Sequence, residues 1–369
     1  MTALFALPDH EVVLGLLPDI ADRRVDTATA RARLREGSGF VPAAVDPRGP
    51  GAVYWVDIGD HRFRHWQYVF TLDHLAREGG IRAYFASPVE ILDEDDLFAD
   101  SAPVAGLIFH VSRCGSTLVT KALGRLNSHV MISQGAPLQQ GFWAEATEQW
   151  IRPLPQDAVT MRRFRNLVRA MCRRRHGDEE RAFVKFISWN TIYAPFIRAA
   201  LPGVPAIFLY RDPVEVIASV RRDTTAVLEA RDTGLGSLLT GRPAEEIAAM
   251  DDVTYLAHCY RRYFTVAAEE AGNGFALLNY RDLGPERFSE IVERAFGLRF
   301  TAAELTQMEG QFSVHAKDDS GKRSFQADSA AKQAALNPDE KAVIREICDT
   351  AMARLDTHAA NLFARKRAA

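Results

Sequence analysis

The stretch Val104-Ala-Gly-Leu-Ile-Phe-His-Val-Ser-Arg-Cys-Gly-Ser-Thr-Leu118 changes character half-way. Its first eight residues are a short apolar run of strand length, and a polar loop then gives way to a helix beginning near Ser116. Such a junction gathers unpaired backbone N–H groups and the positive end of a helix dipole at one spot, which suits a phosphate or sulfate. Gly115 lets the backbone approach closely, Ser116 and Thr117 add hydroxyl donors, and Arg113 adds a permanent charge with a forked donor set. Cys114 shares the helix start that activates a thiol, but no His–Asp partner accompanies it, so it reads as a loop residue open to oxidation. His110 lies in the apolar run and reads as a core residue.

Outward from this junction the alternation continues. Ala182-Phe-Val-Lys-Phe-Ile187, Ala206-Ile-Phe-Leu-Tyr210 and Phe275-Ala-Leu-Leu-Asn-Tyr280 are further apolar runs, each followed by a helical stretch. The fold class expected is α/β, with helices on both faces of a parallel sheet. A second strand-to-helix junction, Leu209-Tyr-Arg-Asp-Pro-Val-Glu-Val-Ile-Ala-Ser219, places Asp212 as N-cap and Pro213 in the first turn. Arg211 sits on the strand edge where open α/β sheets bind ligands, and Ser219 lies two turns into the helix. The C-terminal helix is announced by Asn337 as N-cap, Pro338 and Glu340, with Val343, Ile344, Ile347, Cys348, Ala351, Met352 and Leu355 at helical spacing.

Composition sets the frame. The 369 residues carry 45 Lys+Arg against 48 Asp+Glu, a formal charge of −3, with 47% hydrophobic and 25% charged residues. This is the mix of a folded protein, with no overall basic footprint for nucleic acid or a membrane surface. No apolar run approaches the ~20 residues that span a bilayer. The first twenty residues hold Asp9, Glu11 and Asp19 and no Lys or Arg, unlike a secretory leader. Cys114, Cys172, Cys259 and Cys348 lie far apart, which indicates neither zinc nor disulfides and fits a reducing cytoplasm. Length allows about two units. Residues 1–100 read as an N-terminal accessory segment of mixed α+β character and unassigned role. The acidic stretch Glu90-Ile-Leu-Asp-Glu-Asp-Asp96 reads as the join, and 101–369 as the main domain. A segment at 224–252 with Gly234, Gly236 and Gly241 reads as an inserted lid. The arginines among 162–174 read as the wet face of a helix or a docking face for an acidic acceptor.

The first loop departs from the nucleoside-triphosphatase form G-x-x-x-x-G-K-[ST]: position 110 is His, and Ser116 stands where the phosphate-binding Lys belongs. Ser112-Arg-Cys-Gly-Ser-Thr-Leu118 and Arg211-Asp-Pro-x-x-Val-x-x-Ser219 together resemble the sulfotransferase family that uses 3′-phosphoadenosine 5′-phosphosulfate (PAPS), closest to a bacterial branch carrying S-R-C-G-S-T-L. The resemblance covers roughly residues 103 to 335 and implies a three-layer, P-loop-like fold. It implies that residues 113–117 hold the 5′-phosphosulfate, that Arg211 and Ser219 hold the 3′-phosphate, and that a late loop with His315, Lys317, Lys322 and Arg323 closes over the nucleotide. Those three cations are otherwise solvated loop charges. PAPS is then a co-substrate needing no metal, because it has no γ-phosphate.

By the same resemblance Arg113 and its neighbouring N–H groups stabilise the leaving oxygen, and Lys185 touches the sulfonate or the acceptor. The general base is open. Gln134 stands where the family places a Glu, and Gln cannot take a proton; Glu145 and His315 are the substitutes. The acceptor expected is a hydroxyl or amine on a small molecule or peptide. A small-molecule kinase and a non-catalytic nucleotide-binding module are the rival readings, and the oligomeric state is not legible.

Overall fold

Buried apolar runs pair first, and among the described residues of the computed structural model (8–222, 226–314, 317 and 329–364) they make two sheets. β1 (Phe40–Asp46), β2 (Ala52–Asp57) and β3 (Ala83–Pro88) form an antiparallel sheet in that order. β4 (Val104–His110), β5 (His129–Ser133), β6 (Arg181–Lys185), β7 (Ala206–Tyr210) and β8 (Phe275–Asn279) form a five-stranded sheet in the order β5-β6-β4-β7-β8. The pairs β5–β6, β4–β7 and β7–β8 are parallel, as the α/β alternation predicts. β5 is absent from the sequence reading: its five residues His-Val-Met-Ile-Ser are all buried, but the run is too short and too polar at its ends to declare itself.

The chain divides into two compact units, one of Met1–Ala105, Leu123–Phe186 and Phe196–Pro202, the other of Gly106–Ala122, Ile187–Pro195 and Gly203–Ala369. In the first, Trp55 stacks on Phe85 and Phe98, with centroids 6.4 and 6.0 Å away. The acidic stretch is no open spacer. It folds as two 3-10 turns, Val89–Asp93 and Asp95–Phe98, that bury Ile91, Leu92 and Phe98. Its carboxylates meet the helix Ala158–Met171: Arg163 grips Asp93 through Nε and Nη2 at 3.0 and 2.9 Å, and Arg165 reaches Asp95 at 3.2 Å. Arg173, almost fully buried, pairs with Asp100 and donates to the Leu34 carbonyl. Much of the expected wet face of arginines is therefore a charge-matched packing face.

In the second unit the helices Asp252–Glu270 and Pro338–Thr357 pack along each other. Asn337 and Glu340 close a capping box, each side chain accepting from the other's N–H at 2.9 Å, and Ile344, Cys348, Ala351 and Leu355 are buried. The segment read as a lid holds the short helices Ala226–Glu229, Gly234–Thr240 and Ala244–Ala248, with 223–225 outside the described residues. Two of its glycines are packing and capping positions: a Cβ on Gly236 would stand 2.4 Å from the Arg231 carbonyl oxygen, and Gly241 caps its helix at φ 67°. No helix among the described residues is long and apolar enough to cross a membrane.

Candidate functional site

β4 and β7 are parallel neighbours in register, His110 opposite Leu209, so the loops that follow them leave the same edge of the sheet. In the first loop Arg113 has φ 62° and Gly115 φ 81°, with Cys114 between them outside the left-handed region. Left-handed residues on either side of Cys114 fit the alternation in which successive N–H groups turn toward one side, a nest geometry, at the start of the helix Ser116–Leu123. A left-handed arginine costs about 1 kcal/mol or more and needs outside support. Two bonds from the second junction supply it. Arg113 Nε donates to Ser219 Oγ at 3.0 Å, and Arg211 Nη1 donates to the Arg113 carbonyl at 3.1 Å, across 106 and 98 residues of sequence.

The neighbours complete the frame. Ser112 Oγ lies 3.1 Å from Ser188 Oγ, and the Tyr260 hydroxyl, pushed above its ordinary range by burial, faces Ser112 and Arg113. Cys114 is fully buried and donates from Sγ to the Val111 carbonyl at 2.8 Å, which corrects the expectation of an oxidation-prone loop thiol. A Cβ on Gly115 would meet Leu283 Cδ2 at 2.7 Å and Tyr280 Cδ2 at 2.9 Å. Glycine is needed there for its φ and for close packing on protein; the face a side chain would take is already filled. Ser116 is buried, and Thr117 is partly exposed with its carbonyl accepting from Thr120 Oγ1 at 3.0 Å. His110 is a buried core residue with Nδ1 2.7 Å from the Val111 carbonyl oxygen.

Arg211 is buried, lies 4.2 Å from the centre of the Tyr280 ring, and donates from Nε to Glu215 Oε2 at 2.6 Å. Asp212 caps its helix as expected, accepting from Val214 N–H at 2.8 Å. The helix Ser329–Ala334 packs on Pro213–Arg222, with Gln333 donating to Glu215 at 3.2 Å. It carries Lys332, which is almost fully buried. Lys317 is exposed as a residue, but desolvation about its ammonium, with the charges of Arg113 and Lys332, pulls that lysine down to about 8. Lys317 thus lies within electrostatic reach of both Arg113 and Lys332.

Of the expected site residues, Arg113, Cys114, Gly115, Ser116, Thr117, Arg211, Ser219 and Lys317 belong to one unit, whereas Lys185 and Glu145 belong to the other. Lys185 is fully buried at the end of β6, its carbonyl accepting from the Gln134 N–H at 2.8 Å. Gln134 itself is left-handed, with φ 51°, and takes a bond from Gln67 Nε2 on its side-chain oxygen. The Glu145 carboxyl is pushed up by burial, with Arg163 opposing and Glu90 and Asp93 adding to the shift. His315, Lys322 and Arg323 lie outside the described residues. The sequence reading missed Lys332, Tyr280 and Glu215. A lone lysine in the alanine-rich run Ser-Ala-Ala-Lys-Gln-Ala334 was the available signal for the first.

No group of His, Cys, Asp and Glu able to hold a metal ion occurs among the described residues. No family model matches the sequence, and no curated protein matches it. Among solved structures the chain is similar to a sulfotransferase domain from the curacin biosynthetic pathway, with 16% identity, 67% of this chain and 97% of that one covered, and a TM-score of 0.39. It is also similar to sulfotransferase STF1 from Mycobacterium tuberculosis H37Rv, with 15% identity, 64% and 78% coverage, and a TM-score of 0.36. Likenesses of this size are weak, and the chemistry has to be read from the residues.

Proposed function

We propose that this chain is a cytoplasmic sulfotransferase that takes PAPS as donor and passes its sulfonate to a hydroxyl or amine on a small molecule or peptide. The observation that carries the reading is the Arg113–Ser219 hydrogen bond, which joins the two junctions into one polar cradle. A nest geometry at Arg113, with Lys317 in electrostatic reach of Arg113 and Lys332, suits the several anionic oxygens of a nucleotide phosphosulfate. Ser116 in place of the usual P-loop lysine counts against a γ-phosphate and so against the kinase reading.

When bound, the donor supplies an activated sulfonate on a good leaving group. Arg113 and the nest N–H groups hold negative charge at the 5′ end, and Ser219 with Arg211 holds the 3′ end. Arg211 also meets Glu215, so a 3′-phosphate shares that guanidinium with a carboxylate. Glu145 and His315 are the two candidate bases; the Glu145 carboxyl is raised by burial and belongs to the other unit. Lys185 is assigned to the sulfonate or acceptor.

Titration with adenosine 3′,5′-bisphosphate should raise the melting temperature, and ATP–magnesium should not. Release of the bisphosphate from PAPS in the presence of an acceptor mixture separates an enzyme from a binding module. Stabilisation by ATP–magnesium alone would refute the proposal.

A further inference from the structure

In the second unit a cleft of about 380 Å³ is lined by Arg242, His258, Arg261, Val343, Glu346 and Ile347. His258 and Arg261 are three residues apart on the helix Asp252–Glu270 and share a face. Val343, Glu346 and Ile347 repeat that spacing on Pro338–Thr357. At 100° per residue, His258 lies roughly 160° around its helix from Tyr260, the residue that faces Ser112 and Arg113. The cleft therefore opens on the far side of that helix from the cradle.

Three nitrogens in this cleft, Arg242 Nε, His258 Nδ1 and Arg261 Nε, are shielded from solvent and have no hydrogen-bond partner. Buried polar groups are normally paired, and three unmet ones beside a single cleft leave its wall with donor capacity and positive charge that the chain does not offset, so an anion entering the cleft would meet the outer guanidinium groups. Two of them are guanidinium N–H groups, which can only donate. Arg242 has one ion pair, Glu246 at a long 3.4 Å, and no carboxylate among the described residues stands within ion-pair reach of Arg261. His258 is held below its usual range, first by burial and then by the charges of Arg242 and Arg261, with Glu246 opposing. Glu346 is the one acid in the lining, and it is exposed.

We propose that this cleft binds a small organic oxyanion, its head on Arg242, His258 and Arg261 and its apolar body on Val343 and Ile347. The site stands independently of the donor reading. Phenyl phosphate and phenylacetate, titrated by calorimetry into the full chain at low salt, test it. At least one binding event should survive Arg113→Ala, weaken at least about tenfold in Arg261→Gln and in Arg242→Gln, and tighten in Glu346→Gln. Binding of both probes assigns any oxyanion head; binding of phenyl phosphate alone assigns a phosphoryl head. Inorganic phosphate should bind more weakly than phenyl phosphate, and equal affinity would overturn the apolar body. Absence of phenyl phosphate binding, or an event lost in Arg113→Ala and indifferent to Arg242→Gln and Glu346→Gln, would overturn the site. Arg242 follows a helix cap and is partly exposed, so Arg242→Gln keeps the test valid should Arg261→Gln fail to fold.

Discussion

Arg113 performs two jobs with one residue. Its backbone is held in a left-handed turn by Arg211, and its guanidinium is aimed at Ser219. On the proposed function the side chain makes a charge-assisted contact to the donor, so Arg113→Ala should weaken binding of adenosine 3′,5′-bisphosphate at least about tenfold by calorimetry. An unchanged Kd would remove Arg113 from the site. Gly115 tests the frame. A methyl group there meets Leu283 and Tyr280 and forces an unfavourable φ, so Gly115→Ala should lose about 2 kcal/mol or more in urea unfolding. Lys317 tests the electrostatics. Its ammonium, lowered from 10.5 to about 8, is charged below that pH and neutral above it. Anion binding favours the charged form, so bisphosphate affinity should fall as pH rises through about 8 in the wild type and stay flatter in Lys317→Met. For stability the sign is opposite. The unfolded chain holds more protons between about 8 and 10.5, so this lysine makes the unliganded fold more stable as pH rises through that window.

At the scale of elements, charge pairing decides what composition alone misreads. Seven residues with five carboxylates look like a spacer, yet Ile91 and Leu92 turn inward while Asp93 and Asp95 face the arginine helix. The Arg163–Asp93 pair is two-pronged and only partly exposed, so Arg163→Ala should cost about 1–2 kcal/mol, measured by denaturant titration. A loss within error would mean that apolar burial alone holds the 3-10 turns in place. The same logic explains the missed cations of the cradle. Lys332 reaches its place because a short helix docks on the one that carries Ser219.

For the molecule as a whole, all four cysteines are buried, and the thiols of Cys172, Cys259 and Cys348 are pushed up to about 12 by burial. A thiolate-selective reagent such as dithiobis-nitrobenzoate should label the native chain slowly and all four positions once it is unfolded, so labelling rate tracks global opening. Fast labelling of a single site in the folded protein would locate a breathing segment instead.

The sequence by itself determined the apolar strands β4, β6, β7 and β8, the helix starts at Ser116 and Pro213, and the N-cap at Asn337. Each depends on hydrogen bonds and side-chain periods that close within a few residues, so local composition is sufficient. Only the tertiary structure decided that Arg113 meets Ser219, that Lys332 joins Lys317, and that the acidic run packs on arginines. Those pairings span tens to more than a hundred residues, and their partners are chosen by where the sheet returns each strand.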